Sequence, residues 1–167
     1  TSELTNTRFI HPVKVSFNLN GKDKTWEAVS SHDSVAILLY HQEKNAFLLV
    51  KQFRAPVYLN DISKTFTYEL CAGLVDKNKS LLEIAKEEID EECGYDVDLE
   101  DIQKITSFFT NVGISGGCQH LFYTKINESM KIHDGGGVND EQIELYFLPV
   151  EESDELIFDE TKAKTPG

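Results

Sequence analysis

The chain has 167 residues, with 16 Lys and Arg against 29 Asp and Glu, a net charge of −13 and 40% hydrophobic residues. That size and composition suit one globular domain spanning 1–167 with a proper core. The acidic balance argues against a nucleic-acid or anionic-membrane surface, which clustered cations would grip, and no apolar run is long enough to span a bilayer.

The sequence opens at Thr1 without an initiator Met, as expected of a piece of a longer chain. Residues 1–32 read as an N-terminal strand region. There VKVSFNL (13–19) and KTWEAV (24–29) flank Asn20-Gly21, a pair suited to the positive-φ positions of a tight hairpin turn. The central region, 33–150, carries the apolar runs SVAILLY (34–40) and AFLLVKQF (46–53), a second strand pair. KTFTYEL (64–70) alternates and leads into Ala72-Gly73. IQKITSFFT (102–110) and HLFYTKI (120–126) are further strands around the glycine-bearing NVGISGG (111–117). DGGGVNDE (134–141) is a loop before the strand IELYFLPV (143–150), and the acidic tail 151–167 holds at most one short helix. Many strands around one clear long helix give a mixed α/β fold. Cys71, Cys93 and Cys118 are an odd number without metal spacing, hence free thiols in a reducing compartment, and a cytoplasmic location is expected.

The long helix is expected over about 81–93. Ser80 and Glu83 form a capping box before it, and Gly94 suits the position after its end. KEEIDEECGY (86–95) puts Glu87, Glu88, Asp90, Glu91 and Glu92 on this one helix. With Glu87 at zero on a wheel of about 100° per residue, Leu81, Leu82, Ala85, Ile89 and Cys93 fall in a core stripe between about 120° and 240°. Glu83, Glu87, Asp90 and Glu91 lie opposite and read as a solvated face. Glu88 and Glu92, near 100° and 140°, sit at the edge of the stripe. Two carboxylates one turn apart at a core boundary repel and resist desolvation. Either a hard divalent cation or a cluster of ion pairs would satisfy them.

Residues 73–95 resemble the Nudix box, G-x5-E-x7-R-E-U-x-E-E-x-G-U with U apolar. Gly73, Glu88, Ile89, Glu91, Glu92, Gly94 and Tyr95 all fall on its spacing. VKQFRAPVY (50–58), YELCAGLVD (68–76) and GGGVNDEQIE (135–144) are similar to the branch acting on ADP-ribose and UDP-sugars, its animal UDP-glucose pyrophosphatases in particular. The resemblance runs from about residue 8 to the tail, and resembling chains continue past Pro166 into a further helix. It implies a mixed sheet sandwiched between helices, a homodimer using the N-terminal hairpin, and hydrolysis of a nucleoside diphosphate sugar with Mg²⁺ or Mn²⁺. The metal ligands it implies are Glu88, Glu92, the Ala72 carbonyl and a downstream loop acid, Glu141 ahead of Asp140; Glu91 is the further catalytic candidate. Two positions depart from the box. Lys79 stands where the first Glu is expected and Glu87 where the Arg is expected, which removes a cation beside the glutamates and adds an anion. Lys86 lies about 100° round the helix and does not replace that Arg. Glu87→Arg is therefore expected to lower the metal requirement or raise turnover, unless cations from other segments already compensate.

Ligand recognition needs cations and flat surfaces. Arg54 is a candidate for bidentate contact with the diphosphate. Trp26, the single tryptophan, either stacks on uracil or serves a core or interface. The glycines 135–137 form either a closing loop or a linker. Three readings remain: a UDP-glucose hydrolase releasing UMP and glucose 1-phosphate, an ADP-ribose hydrolase, and a weakened domain that binds a nucleotide or a partner protein.

Overall fold

The two apolar runs become neighbouring strands. In the computed structural model, which describes residue 7, residues 10–138 and residues 141–166, β1 (His11–Leu19) and β2 (Lys22–Ser30) form a separate hairpin, and β3 (Ser34–His41) pairs antiparallel with β4 (Ala46–Gln52). There follow α1 (Ala55–Asn60), β5 (Thr67–Glu69), β6 (Cys71–Leu74) and α2 (Leu81–Glu88). The chain then runs through β7 (Gln103–Phe109), β8 (Cys118–Ile126), β9 (Ile143–Pro149), α3 (Ser153–Phe158) and β10 (Ala163–Lys164). The main sheet has the order β10-β5-β4-β3-β8-β7, with β9 also on β4 and β6 also on β3. It is mixed: β3 and β8 pair in parallel from Ser34 opposite Gln119 to His41 opposite Ile126, while β3 and β4 run antiparallel.

The hydrophobic runs are continuous because both faces of the sheet are covered. Val35, Ile37 and Leu39 of β3 and Leu48 and Val50 of β4 are wholly buried, packing with Ile84, Ala85 and Ile89 on the α2 side. The alternate residues Leu38, Phe47 and Leu49 line a crevice of about 270 Å³ with Leu156 and Ile157 of α3 on the other face. The sheet thus lies between helices, as the resemblance implied.

One topological detail positions the site. β4 occupies one edge of β3 only at Leu39–His41, and β6 occupies the same edge at Ser34–Ile37. The short strand β6 therefore ends beside α2, bringing Ala72 and Gly73 against the helix. The hairpin turn is as read: Asn20 and Gly21 have φ of 54° and 78°. Three elements were not expected. The short α1 begins at Ala55 with Pro56 in its first turn, where a missing N–H costs no helical bond. β6 and the two-residue β10 are too short for periodicity to reveal, and each exists through its partner, β3 or β5.

Candidate active site

The helix starts as predicted. The Ser80 hydroxyl accepts from the Glu83 N–H, and the Glu83 carboxylate accepts from the Ser80 N–H at 2.8 Å. It stops at Gly94 as predicted, but its last turn is not α-helical. From Ile89 to Cys93 the backbone widens into a π-helical turn, closed by left-handed Gly94, whose N–H reaches the Asp90 carbonyl at 2.8 Å. Such turns occur at functional sites because the extra residue redirects side chains. The apolar stripe is also wider than the wheel suggested: Ile84, at about 60°, is fully buried. Glu88 and Glu92 therefore lie within the buried side rather than at its edge, and Glu92 is only 5% exposed.

Each of the two carboxylates is held by β6. The Glu92 Oε2 accepts the Ala72 N–H at 3.0 Å. Along an extended strand a residue's N–H and C=O point the same way, so the Ala72 carbonyl opens toward the Glu92 carboxylate. Glu88 rests against Gly73, where a Cβ would stand 2.0 Å from Oε1. Only glycine leaves that space, which gives the first residue of the box its physical reason. Burial pushes both carboxyls up to about 7, opposed at Glu92 by the Ala72 N–H and increased at Glu88 by Glu91; Glu141 raises both further. Burial likewise drives the Cys71 thiol well up. All three cysteines are free.

The glycine loop is bonded to the helix end rather than being a free linker. The N–H groups of Gly136 and Gly137 donate to the carbonyls of Glu92 and Glu91 at 2.9 and 3.0 Å, satisfying acceptors that the helix terminus leaves open. Gly135 has φ 67°, and a Cβ on it would lie 2.4 Å from the Glu92 carbonyl oxygen. Glu141 turns back on the loop: its Oε2 accepts the Val138 N–H at 3.0 Å. Asp140, the second choice for the loop acid, lies outside the described residues.

Arg54 reaches the same site, with Glu92 and Glu141 acting on its charge, but its forked edge is already taken. Nε and Nη2 each donate to a carboxylate oxygen of buried Glu69 at 2.9 Å, and among the described residues Nη1 has no side-chain partner. Glu69, also bonded by the Thr67 hydroxyl, was not singled out from the sequence; its only signal was its place in YELCAG. Trp26 stands apart on β2, exposed, its indole N–H bonded to the Gly113 carbonyl at 2.9 Å.

Among the described residues no three His, Cys, Asp or Glu side chains form a ready-made metal cage. The donors nevertheless fit a cation that keeps part of its shell for phosphate and water. Two carboxylates held at about 7 by burial, with a strand carbonyl opening to their side, are the groups a hard divalent ion would satisfy.

A mixed sheet between helices, with a glycine-cradled glutamate pair at the end of one helix, defines a Nudix-type domain. The NUDIX domain model matches residues 30–165, and the chain belongs to that family. It is 32% identical to the uridine diphosphate glucose pyrophosphatase of Bos taurus over 187 residues, covering 95% of this chain and 84% of that protein. It is 34% identical to the GDP-mannose pyrophosphatase of Cronobacter sakazakii, over 78% of this chain and 67% of that one. The crystal structure of an ADP compounds hydrolase superposes with a TM-score of 0.72 at 14% identity, covering 96% of this chain and 81% of that one, a likeness of fold. No helix among the described residues is long and apolar enough to cross a membrane.

Proposed function

We propose that the chain hydrolyses the diphosphate bond of a nucleoside diphosphate sugar, with UDP-glucose as substrate and UMP and glucose 1-phosphate as products. The observation that carries this reading is the pair Glu88 and Glu92, the first half-buried against Gly73 and the second buried on the Ala72 N–H, with both carboxyls raised to about 7. The names of the relatives, which act on UDP-glucose and GDP-mannose, support the sugar-nucleotide class.

Glu88, Glu92 and the Ala72 carbonyl would hold Mg²⁺, with Mn²⁺ as the alternative and Glu141 completing the set. A divalent cation seated there supplies positive charge to the phosphate oxygens and acidity to an attacking water. Water adds across one bridging P–O bond. Its oxygen stays on one phosphate, the bridging oxygen leaves with the other, and a proton is released. The protein's part is positioning and electrostatics. Glu92 is fixed by the Ala72 N–H, Glu88 by its seat on Gly73, and Glu91 adds charge beside Glu88. Arg54, braced by Glu69, presents Nη1 to the diphosphate. Trp26, exposed on the hairpin apart from the glutamate pair, belongs instead to the surface offered to a second copy.

The homodimer is part of the same proposal. Val13, Val15, Phe17 and Leu19 line one face of the hairpin, with Trp26 opposite Val15, and all five are exposed. The hairpin is bonded to the body by the Val29 N–H on the Ile114 carbonyl and by Trp26 on Gly113. A second copy covering that stripe would bury it. Sedimentation showing a fully active monomer overturns this part.

The activity is tested by incubating the purified chain with UDP-glucose, GDP-mannose, ADP-ribose and nucleoside triphosphates, with Mg²⁺ or Mn²⁺, and following products by ³¹P NMR. Cleavage of UDP-glucose to two monophosphates is expected. Preference for ADP-ribose replaces the base assignment, and absence of turnover on every compound overturns the hydrolase.

A further inference from the structure

The missing box arginine has a structural answer. Glu87, which stands in its place, is gripped by two lysines from the loop leading into α2: Lys79 contacts Oε1, and the Lys77 Nζ lies 3.2 Å from Oε2. Lys79 is itself the other departure from the box. The two odd residues thus meet each other, with the signs expected at the two positions exchanged. Lys86 is occupied elsewhere, on Asp96 at 2.8 Å.

The loop carrying the lysines is anchored where it begins, the Val75 N–H donating to the Asp33 carbonyl at 2.8 Å, and it is folded on itself by the Lys79 N–H on the Lys77 carbonyl at 2.9 Å just before the Ser80 cap. Bonded to the Glu87 Oε2 at 3.2 Å, the Lys77 ammonium sits at the helix position next to Glu88 and one turn before Glu91, and its charge acts on both. Half-exposed pairs such as these contribute little to global stability. Their consequence is local, fixing where a compact ammonium charge sits.

We propose that Glu87, Lys79 and Lys77 form a charge-reversed clamp that holds the 75–80 loop on α2 and sets Lys77 beside Glu88 and Glu91. Glu87 is a positioning residue that acts through Lys77, and Lys77 supplies the positive charge that the resemblance assigns to an arginine. The proposal rests on the hydrolase reading for its effect on rate, but not for the clamp itself.

The test is a charge-swap cycle of Lys79→Glu, Glu87→Arg and the two together, with Lys77→Met and Lys77→Arg made separately. Amide hydrogen exchange of residues 75–80 in the metal-free protein reads the clamp without substrate or metal. Each single swap places like charges together and should speed exchange there about fivefold or more, and the double swap should recover it. On UDP-glucose with saturating Mg²⁺, kcat should follow the same pattern. Lys77→Met should lower kcat with melting temperature little changed and speed loop exchange less than either single swap, because Lys79 still holds Glu87, and Lys77→Arg should restore both. Additive effects in the exchange cycle overturn the clamp whether or not the protein turns over. Normal exchange coupling with full kcat in Lys77→Met overturns the role of Lys77 alone, and a higher kcat in Glu87→Arg shows that the reversed pair positions nothing.

Discussion

Replacing Glu92 with Gln should change how stability depends on pH, by an amount the structure sets. In the metal-free protein burial lifts the Glu92 carboxyl from its ordinary 4.5 to about 7. The folded protein therefore holds this proton across a range where the unfolded chain has released it. The stability linked to that proton is fully present below about 4.5 and is lost as pH rises through about 7. At 1.36 kcal/mol per pH unit the loss is about 3 kcal/mol, an upper figure because Glu88 titrates in the same range. The substituted amide is neutral throughout and keeps an oxygen for the Ala72 N–H, so the variant lacks this slope. In a chain of this size about 3 kcal/mol is roughly 6–12 °C in melting temperature. Melting curves of both proteins in chelator, from pH 5 to 8, isolate the residue, because carboxyls lowered by local partners, such as Asp61 and Asp159, are common to both. The variant should gain on the wild type as pH rises. Excess Mg²⁺ at pH 8 should stabilise the wild type and leave the variant nearly unmoved. Parallel pH curves, or equal stabilisation of both by Mg²⁺, would refute the reasoning.

Glu92→Gln should also abolish release of glucose 1-phosphate while far-UV dichroism stays unchanged, and near-normal turnover removes Glu92 from the metal set. Gly73→Ala puts a methyl where the Glu88 carboxylate lies, 2.0 Å from Oε1, so that the side chain must swing away, and should cut turnover and Mg²⁺-dependent stabilisation together while metal-free melting changes little. Gly135→Ala meets the Glu92 carbonyl at 2.4 Å with φ 67°, and should cost about 1–3 kcal/mol in denaturant unfolding. Arg54→Ala leaves Glu69, 6% exposed, without its fork, and should destabilise by about 2 kcal/mol and raise KM for UDP-glucose; Arg54→Lys should recover only part of either, since an ammonium cannot make both bonds.

Much of the helix that carries the site was legible locally. The Ser80–Glu83 cap, the Gly94 stop and the place of Glu88 and Glu92 on the apolar side are matters of neighbours three to five residues apart. The hairpin was legible for the same reason, through Asn20-Gly21. The π-helical turn was not, because it arises as the helix end fits against β6 and the glycine loop, and a wheel of constant pitch has no place for it. Arg54 was picked out as a cation, but its commitment to Glu69 crosses from the end of β4 to β5.

The amino-acid order by itself determined the strands long enough to alternate or stay apolar, the one long helix, its cap, and which carboxylates stand beside its apolar stripe. These follow from side-chain period and turn chemistry, which act over a few residues. Only the tertiary structure decided the parallel pairing of β3 with β8, the seating of Glu88 on Gly73, and the meeting of Lys77 and Lys79 with Glu87. Read along the chain, Glu87 is a cation lost. In space it is an anion held between two cations, because charge interactions depend on distance through the fold and not on separation along the sequence.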